Sequence, residues 1–124
     1  MAIIKPFQGY CPPSEIAEKI SSPPYDILTS NEARKIVKNN HHSFLRIIKP
    51  EVDFSSETEL MGSSLHEHGA KNLYNLIAER KLIKDPVPCM YIYQISMGNH
   101  SQTGVMMAAS IEEYNSGLIK KHEF

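Results

Sequence analysis

Four charged residues stand side by side near the end of the sequence, and their types suit phosphate or proton chemistry. Two lysines, Lys120 and Lys121, can neutralise the charge of a phosphate, and we assign them to anion binding. A histidine next to a glutamate, His122 and Glu123, can transfer a proton, so this pair is the candidate catalytic pair. The alternative, a charged tail in solvent, stays open from composition alone.

Two other stretches carry side chains that could bind a ligand. In PPYD the prolines preset an extended backbone that fixes the direction of Tyr25 and Asp26, which we assign to substrate binding. Alternatively, the prolines only stop a helix and Asp26 caps a turn. In SFLRIIKPE, Arg46 lies near a predicted strand end and suits a phosphate or carboxylate, so we assign it to anion binding. The alternative for Arg46 is a cation that faces solvent.

The histidines elsewhere predict no metal site. His66 and His68 are roughly 200° apart around a predicted helix, whereas helical zinc ligands are spaced so that they share one face. His41 and His42 follow a predicted helix and are expected to interact with its last carbonyls. We assign no metal ligand and can name no cofactor. The glycine-rich phosphate motifs and the GxSxG motif of hydrolases do not occur in the sequence.

The composition is that of an ordinary globular protein. The 124 residues are 41% apolar and 22% charged, which predicts a single domain over residues 1–124. A net charge of −1 argues against nucleic-acid binding. No apolar run is long enough to span a bilayer, and the first residues contain no signal-peptide core. We therefore expect no membrane partner and a cytoplasmic location.

Hydrophobic patterns and turn residues predict the elements that position these side chains. Helices are expected at 14–19, 30–38 and 58–80, and strands at 2–8, 43–48, 89–97 and 102–111. Thr29 and Glu32 predict a capping box for the second helix. The predicted fold is α+β, with an antiparallel sheet of about four strands packed with one long and one or two short helices.

The sequence also predicts how these elements pack. The long helix is expected to cover one face of the sheet with its stripe of leucines and isoleucine. Gly69 inside this helix indicates either a bend or a close contact. The last two strands form a hairpin with one side buried. Exposed apolar residues on this 89–111 hairpin would instead mark a docking face, for example in a homodimer.

Five segments in chain order resemble one bacterial and archaeal family, the domain of unknown function 1015. They are IIKPF, PPYD, SFLRIIKPE, YIYQISMGNHSQTG and GLIKKHE. Typical members read IKPFRAL, PPYDVIS, SFLHVIRPE, QTG and GxIKKHExT at similar spacing. The resemblance covers the chain up to Glu123. It departs at Leu28 and Arg46, where the family pattern has a valine- or isoleucine-like residue and a histidine.

The resemblance implies that residues 1–124 are the N-terminal portion of a longer architecture. Members continue past KKHE to a DGHHRY-like motif, which looks like the phosphate-handling loop of the ParB and sulfiredoxin superfamily with its free-serine kinases. It implies that this chain supplies half of a phosphate- or nucleotide-handling, phosphotransferase-like site and is inactive alone. The alternative is a non-catalytic module that binds a nucleotide, another small anion or a protein.

The end of the chain also carries a structural expectation. Leu118 and Ile119 are apolar, so we expect them to be anchored against the sheet, with Gly117 permitting a turn. Such anchoring would hold His122 near the loop that carries Asp26, and the two side chains would share one pocket.

Overall fold

A computed structural model describes residues 2–55 and 63–120 of the chain. The chain divides into two compact units. The strand unit comprises the residues up to Tyr10 together with those from Lys84 onward, and the helical unit comprises Cys11–Ile83. No helix within the described ranges has both the length and the apolar character that crossing a membrane requires.

The helices are α1 (Ala17–Ile20), α2 (Ser30–Lys38), α3 (Leu45–Ile48), α4 (Ser63–Ala78) and α5 (Ile111–Asn115), with 3₁₀ turns at Tyr25–Ile27 and Pro50–Asp53. The strands are β1 (Ile4–Lys5), β2 (Tyr10–Cys11), β3 (Ile83–Lys84), β4 (Tyr91–Met97), β5 (His100–Met106) and β6 (Ala108–Ala109). Helices α1–α4 lie in the helical unit, whereas β1, β4, β5, β6 and the short helix α5 lie in the strand unit. The fold class is α+β, as predicted.

Helix α2 begins where the sequence predicts. Thr29 accepts a hydrogen bond from the Glu32 amide (3.3 Å), and the Glu32 carboxylate accepts one from the Thr29 amide (2.9 Å). This reciprocal capping box satisfies donors that the first turn would otherwise leave unpaired. The helix buries Ala33 and Val37 against Leu45 of α3, which is fully buried.

The predicted strand at 43–48 is wrong, because its last four residues form helix α3. The Ile48 amide bonds to the Phe44 carbonyl (3.2 Å) and the Lys49 amide bonds to the Leu45 carbonyl (2.8 Å). A short apolar run fits a buried strand and a buried helical turn equally well, so its periodicity cannot distinguish the two. Packing decides here, since α3 lies against both α2 and α4.

Helix α4 packs on helices rather than on a sheet, so that part of the prediction is wrong. Its buried Leu76 contacts a cluster that includes Ile20 of α1 and Leu82. Gly69 explains the close approach. A Cβ atom at Gly69 would lie 2.7 Å from the Ile47 carbonyl oxygen, so only glycine lets the helix backbone come this near to α3. The predicted start of this helix, from 58 to 62, lies outside the described residues.

The strand unit contains short antiparallel pairs instead of the predicted four-stranded sheet. Strand β1 pairs with β6, and β4 pairs with β5 over seven residues. An antiparallel bridge joins Phe7 to Cys89. The predicted hairpin is confirmed, and its two-residue turn places Gly98 at φ +58°, a conformation that glycine adopts without strain.

The prediction that one side of this hairpin is buried is wrong. Ile92 on one face and Met97 on the other are each 78% exposed, and Tyr93, Ile95 and Val105 are also exposed. The hairpin therefore presents large apolar side chains on both faces.

Tyr91, at the start of β4, contacts the segment that follows β1 and the segment that precedes β4. Its hydroxyl accepts a hydrogen bond from the Gly9 amide (2.6 Å) and donates one to the Asp85 carboxylate. Its ring lies 5.1 Å from that of Phe7. The hydrogen bond to Asp85 raises the pKa of the Tyr91 hydroxyl above its usual value, and desolvation adds to this rise.

Candidate functional site

A polar cluster in the helical unit is organised around the carboxylate of Asp53. Arg46 of α3 donates from Nε to Asp53 Oδ1 (2.6 Å) and from Nη1 to the His41 carbonyl (2.9 Å). The side chain of Asp53 is 9% exposed and that of Arg46 is 30% exposed, so this ion pair is partly shielded from water. The position of the guanidinium is thus fixed by two contacts.

Helix α4 completes the cluster from the opposite side. His68 Nε2 lies 2.7 Å from Asp53 Oδ2, and Asn72 Nδ2 donates to the same oxygen (3.0 Å) and to the Arg46 carbonyl (2.8 Å). His68 and Asn72 are four residues apart and share one helical face. The glycine between them, Gly69, allows the approach to α3 that brings both side chains within bonding distance.

Opposing effects act on the pKa of Asp53. Burial raises it, but the hydrogen bonds from Arg46, His68 and Asn72, together with the Arg46 charge, outweigh burial and hold the pKa below its usual value. Asp53 is therefore a carboxylate at neutral pH.

A cavity of about 220 Å³ adjoins this cluster. Its polar lining residues include His41, His42, Arg46, Asn72, Asn75 and Glu79. Asp53 and His68 are not among its lining residues. Arg46 therefore lines the cavity, whereas Asp53, the acidic partner of its guanidinium, does not.

A second charged group lies at the Glu79 side of the cavity. Lys81 Nζ is 2.5 Å from the Glu79 carboxylate and 3.1 Å from both ring nitrogens of His42. The hydrogen bond from Lys81 lowers the pKa of Glu79. The two acidic groups near the cavity, Asp53 and Glu79, are thus each paired with a cation.

Of the side chains assigned from sequence, the structure places Arg46 in this cavity. Arg46 lies on a helix and not at a strand end, because α3 is helical. Tyr25 and Asp26 form the 3₁₀ turn Tyr25–Ile27 and are both exposed, with Tyr25 at 59%. Neither lines the Arg46 cavity.

The terminal cluster is described only up to Lys120, which is exposed. Lys121, His122 and Glu123 lie outside the described residues, so a pocket shared by Asp26 and His122 stays a prediction. Gly117 makes the predicted turn, with φ +78°. The predicted anchoring of Leu118 is wrong, because this side chain is 55% exposed. The turn is closed by backbone bonds from residues 118 and 119 to the Glu113 carbonyl.

Sequence reasoning missed Asp53, His68, Asn72 and the two histidines of the cavity. His41 and His42 line the cavity, although the sequence indicated helix capping. The usable signal was the pattern HxxxN around a helical glycine, which puts two polar side chains on the face that packs most closely. Within residues 2–55 and 63–120, no group of three or more potential metal ligands is close enough to hold an ion.

The fold and this cavity define an α+β protein with a polar, arginine-containing site in its helical unit. The family described as a protein of unknown function, DUF1015, matches residues 4–124, and the chain belongs to this family. Among curated proteins and solved structures, no significant match was found.

Proposed function

We propose that the cavity around Arg46 binds a small anionic group, such as a phosphate or carboxylate, and contributes half of a phosphate- or nucleotide-handling site. The observation that supports this proposal is the fixed guanidinium of Arg46 in a cavity wall that its counterion does not line. A preorganised arginine is the side chain best suited to planar, bidentate recognition of such groups.

The donors around the cavity fit this ligand class. A guanidinium carries more N–H donors than Arg46 uses for Asp53 and the His41 carbonyl, so donors remain for a ligand. Asn75 and His41 also line the cavity and carry side chains that can donate hydrogen bonds, whereas the His42 ring already contacts Lys81. Because the charge of Asp53 offsets that of Arg46, we expect modest affinity that depends on the protonation of these histidines.

The phosphotransferase-like part of the proposal concerns the end of the chain. Lys120 and Lys121 would bind phosphate, His122 and Glu123 would handle a proton, and Tyr25 with Asp26 would contact the substrate. Such a role fits a cytoplasmic protein, which is where we place the chain. We expect hydrolysis and phosphoryl-transfer assays on the isolated chain to stay at background. Turnover that His122→Ala abolishes would contradict this expectation.

Anion binding is tested by titrating the protein with inorganic phosphate and following the amide signals of residues around the cavity by NMR. We expect Arg46→Met to weaken binding about tenfold or more, because a charge-assisted contact is lost. The matched control is Lys38→Met, which removes an exposed cation from α2 and should leave binding unchanged. Equal binding by wild type and Arg46→Met, with both proteins folded, would contradict the proposal.

A second candidate function, protein interaction, is favoured by the hairpin. Its two faces expose large apolar side chains, and a two-stranded ribbon has little stability of its own in water. We propose that the 89–111 hairpin is a docking face, with a second copy of the chain as the partner.

Sedimentation equilibrium tests this second candidate. We expect a concentration-dependent dimer that Ile92→Glu dissociates. Ile111→Glu is the matched control, because Ile111 is equally exposed at 77% but lies in α5. A monomeric wild type at all concentrations would contradict homodimer formation.

A further inference from the structure

Asp53 is shared by two basic side chains that differ in one chemical property. An arginine keeps its charge at every accessible pH, whereas histidine is the residue type whose charge can change between about pH 5 and pH 8. Each uses its own oxygen, with Arg46 on Oδ1 (2.6 Å) and His68 on Oδ2 (2.7 Å).

We propose that protonation of His68 tightens anion binding in the Arg46 cavity. This inference rests on the proposed anion binding at the same site. When His68 is neutral, the negative charge of Asp53 offsets the positive charge of Arg46, and the three side chains together carry no net charge. When His68 is protonated, the same carboxylate faces two cations, so the summed charge of Arg46, Asp53 and His68 becomes positive.

Asp53 is also held by contacts that do not depend on the charge of His68. Asn72 donates to Asp53 Oδ2 and to the Arg46 carbonyl, and these two hydrogen bonds do not involve the proton on His68. The Phe54 ring packs edge-on against the imidazole at a centroid distance of 4.7 Å. Asp53 stays a carboxylate throughout this pH range, because its pKa lies below its usual value.

Other charged groups near His68 are already engaged or lie in solvent. They are His66, Glu67 and Lys71 on α4, which are exposed, and Lys49 with Glu51, which form their own ion pair at 3.4 Å. Within the described part of the chain, the ion pairs that involve His68 comprise the contact with Asp53 alone. His41 and His42 line the cavity itself, so they add a pH dependence of their own.

Sulfate is the appropriate probe, because its charge does not change between about pH 5.5 and about pH 8. Wild-type protein should bind it more tightly at the lower pH. One added charge near the site at intermediate dielectric corresponds to about a three- to tenfold change in Kd. His41 and His42 contribute to the wild-type change, so variants of His68 carry the test.

Two variants fix the charge at position 68, one as neutral and one as positive. His68→Gln keeps an amide donor for Asp53 without a titratable proton, so it should match wild type at about pH 8 and bind three- to tenfold more weakly at about pH 5.5. His68→Arg carries a permanent charge, so it should bind more tightly than wild type at about pH 8. His66→Gln, on the same helix but exposed, should behave like wild type.

The outcomes separate this inference from the proposed function. If the folded wild-type protein binds no sulfate at either pH, both are wrong. If wild type binds sulfate but His68→Gln matches it at about pH 5.5, only the role of His68 is wrong. If circular dichroism shows that His68→Gln does not fold, His68→Arg decides alone, and unchanged affinity at about pH 8 overturns the inference.

Discussion

The helical unit and the strand unit are stabilised by different means. Every fully buried side chain among the described residues belongs to the helical unit, including Leu45, which packs with Ala33 and Val37 of α2 and with Val52. The described part of the strand unit is instead stabilised by strand pairing, by the contacts of Tyr91 and by a bridge between Phe7 and Cys89. A packed core fixes side chains to within fractions of an ångström, whereas paired strands fix mainly the backbone.

This difference bears on where chemistry and contact are best placed. The Arg46 cluster needs several side chains within bonding distance of one carboxylate, and the helical unit supplies that through the close approach at Gly69. The hairpin offers exposed apolar side chains on a regular backbone, which suits a contact surface. Four predictions test whether the two units differ in this way.

Truncating a core side chain should have the largest effect. Leu45→Ala should lower the free energy of unfolding by about 2–5 kcal/mol, because it leaves a cavity in a tightly packed position. Ile92→Ala on the hairpin should change it by less than about 0.5 kcal/mol. Urea denaturation measures both. A large loss for Ile92→Ala would show that the hairpin is covered in solution and would remove the contrast between the units.

Adding one methyl group at a glycine should have the next largest effect. Gly69→Ala should destabilise the protein by about 1–3 kcal/mol, because the new Cβ meets the Ile47 carbonyl at 2.7 Å. The higher helix propensity of alanine recovers at most about 1 kcal/mol. Gly104→Ala is the control in β5, where nothing lies within 4 Å of the new atom. Thermal unfolding of both variants decides, and equal melting temperatures would refute the close-packing role of Gly69.

The two units should lose stability at opposite ends of the pH scale. The lowered pKa of Asp53 means that its contribution is present above about pH 3.8 and is lost as pH falls through the lower folded value. The raised pKa of Tyr91 means that its contribution is present below about pH 10 and is lost as pH rises through the higher folded value.

Stability measurements on single variants separate these two contributions. The stability difference between wild type and Asp53→Asn should shrink as pH falls below about 3.8, and that between wild type and Tyr91→Phe should shrink above about pH 10. Differences that stay constant across these ranges would contradict the assigned hydrogen bonds.

The smallest expected effect is a gain in stability at the end of α4. Arg80 has φ +57°, and the next two amides both bond back to the Leu76 carbonyl, as in a helix end that favours glycine. Arg80→Gly should stabilise the helical unit by less than about 1 kcal/mol, since relief of backbone strain exceeds the entropy cost of glycine. The control Lys71→Gly, at an exposed position inside α4, should be destabilising.

Local signals in the sequence predicted the elements they control. The capping box of Thr29 and Glu32 and the hairpin turn at Gly98 depend on neighbouring residues and are confirmed. The apolar run at 43–48 was misread as a strand because its conformation depends on packing between α2 and α4. Burial of the hairpin was predicted wrongly because alternation of side chains fixes which residues share a face but does not show whether that face is covered.

The candidate site was predictable in one residue only. Arg46 was recognised by its type as an anion ligand, and the structure places it in a polar cavity. The contacts among Asp53, His68 and Asn72 depend on how closely α4 approaches α3. No local sequence pattern predicts that distance. Gly69 indicated either a bend or a close contact, and only the structure shows that the close contact is with the Ile47 carbonyl.

The strand unit is assembled from both ends of the chain, and this has a consequence for biosynthesis. Ile4 pairs with Ala109, so the first strand cannot pair until residue 109 has left the ribosome. The helical unit is continuous over Cys11–Ile83, and the core clusters of its described residues draw only on that stretch. We therefore expect vectorial folding in which the helical unit forms first, while the residues around Ile4 remain open to chaperones until β6 is made.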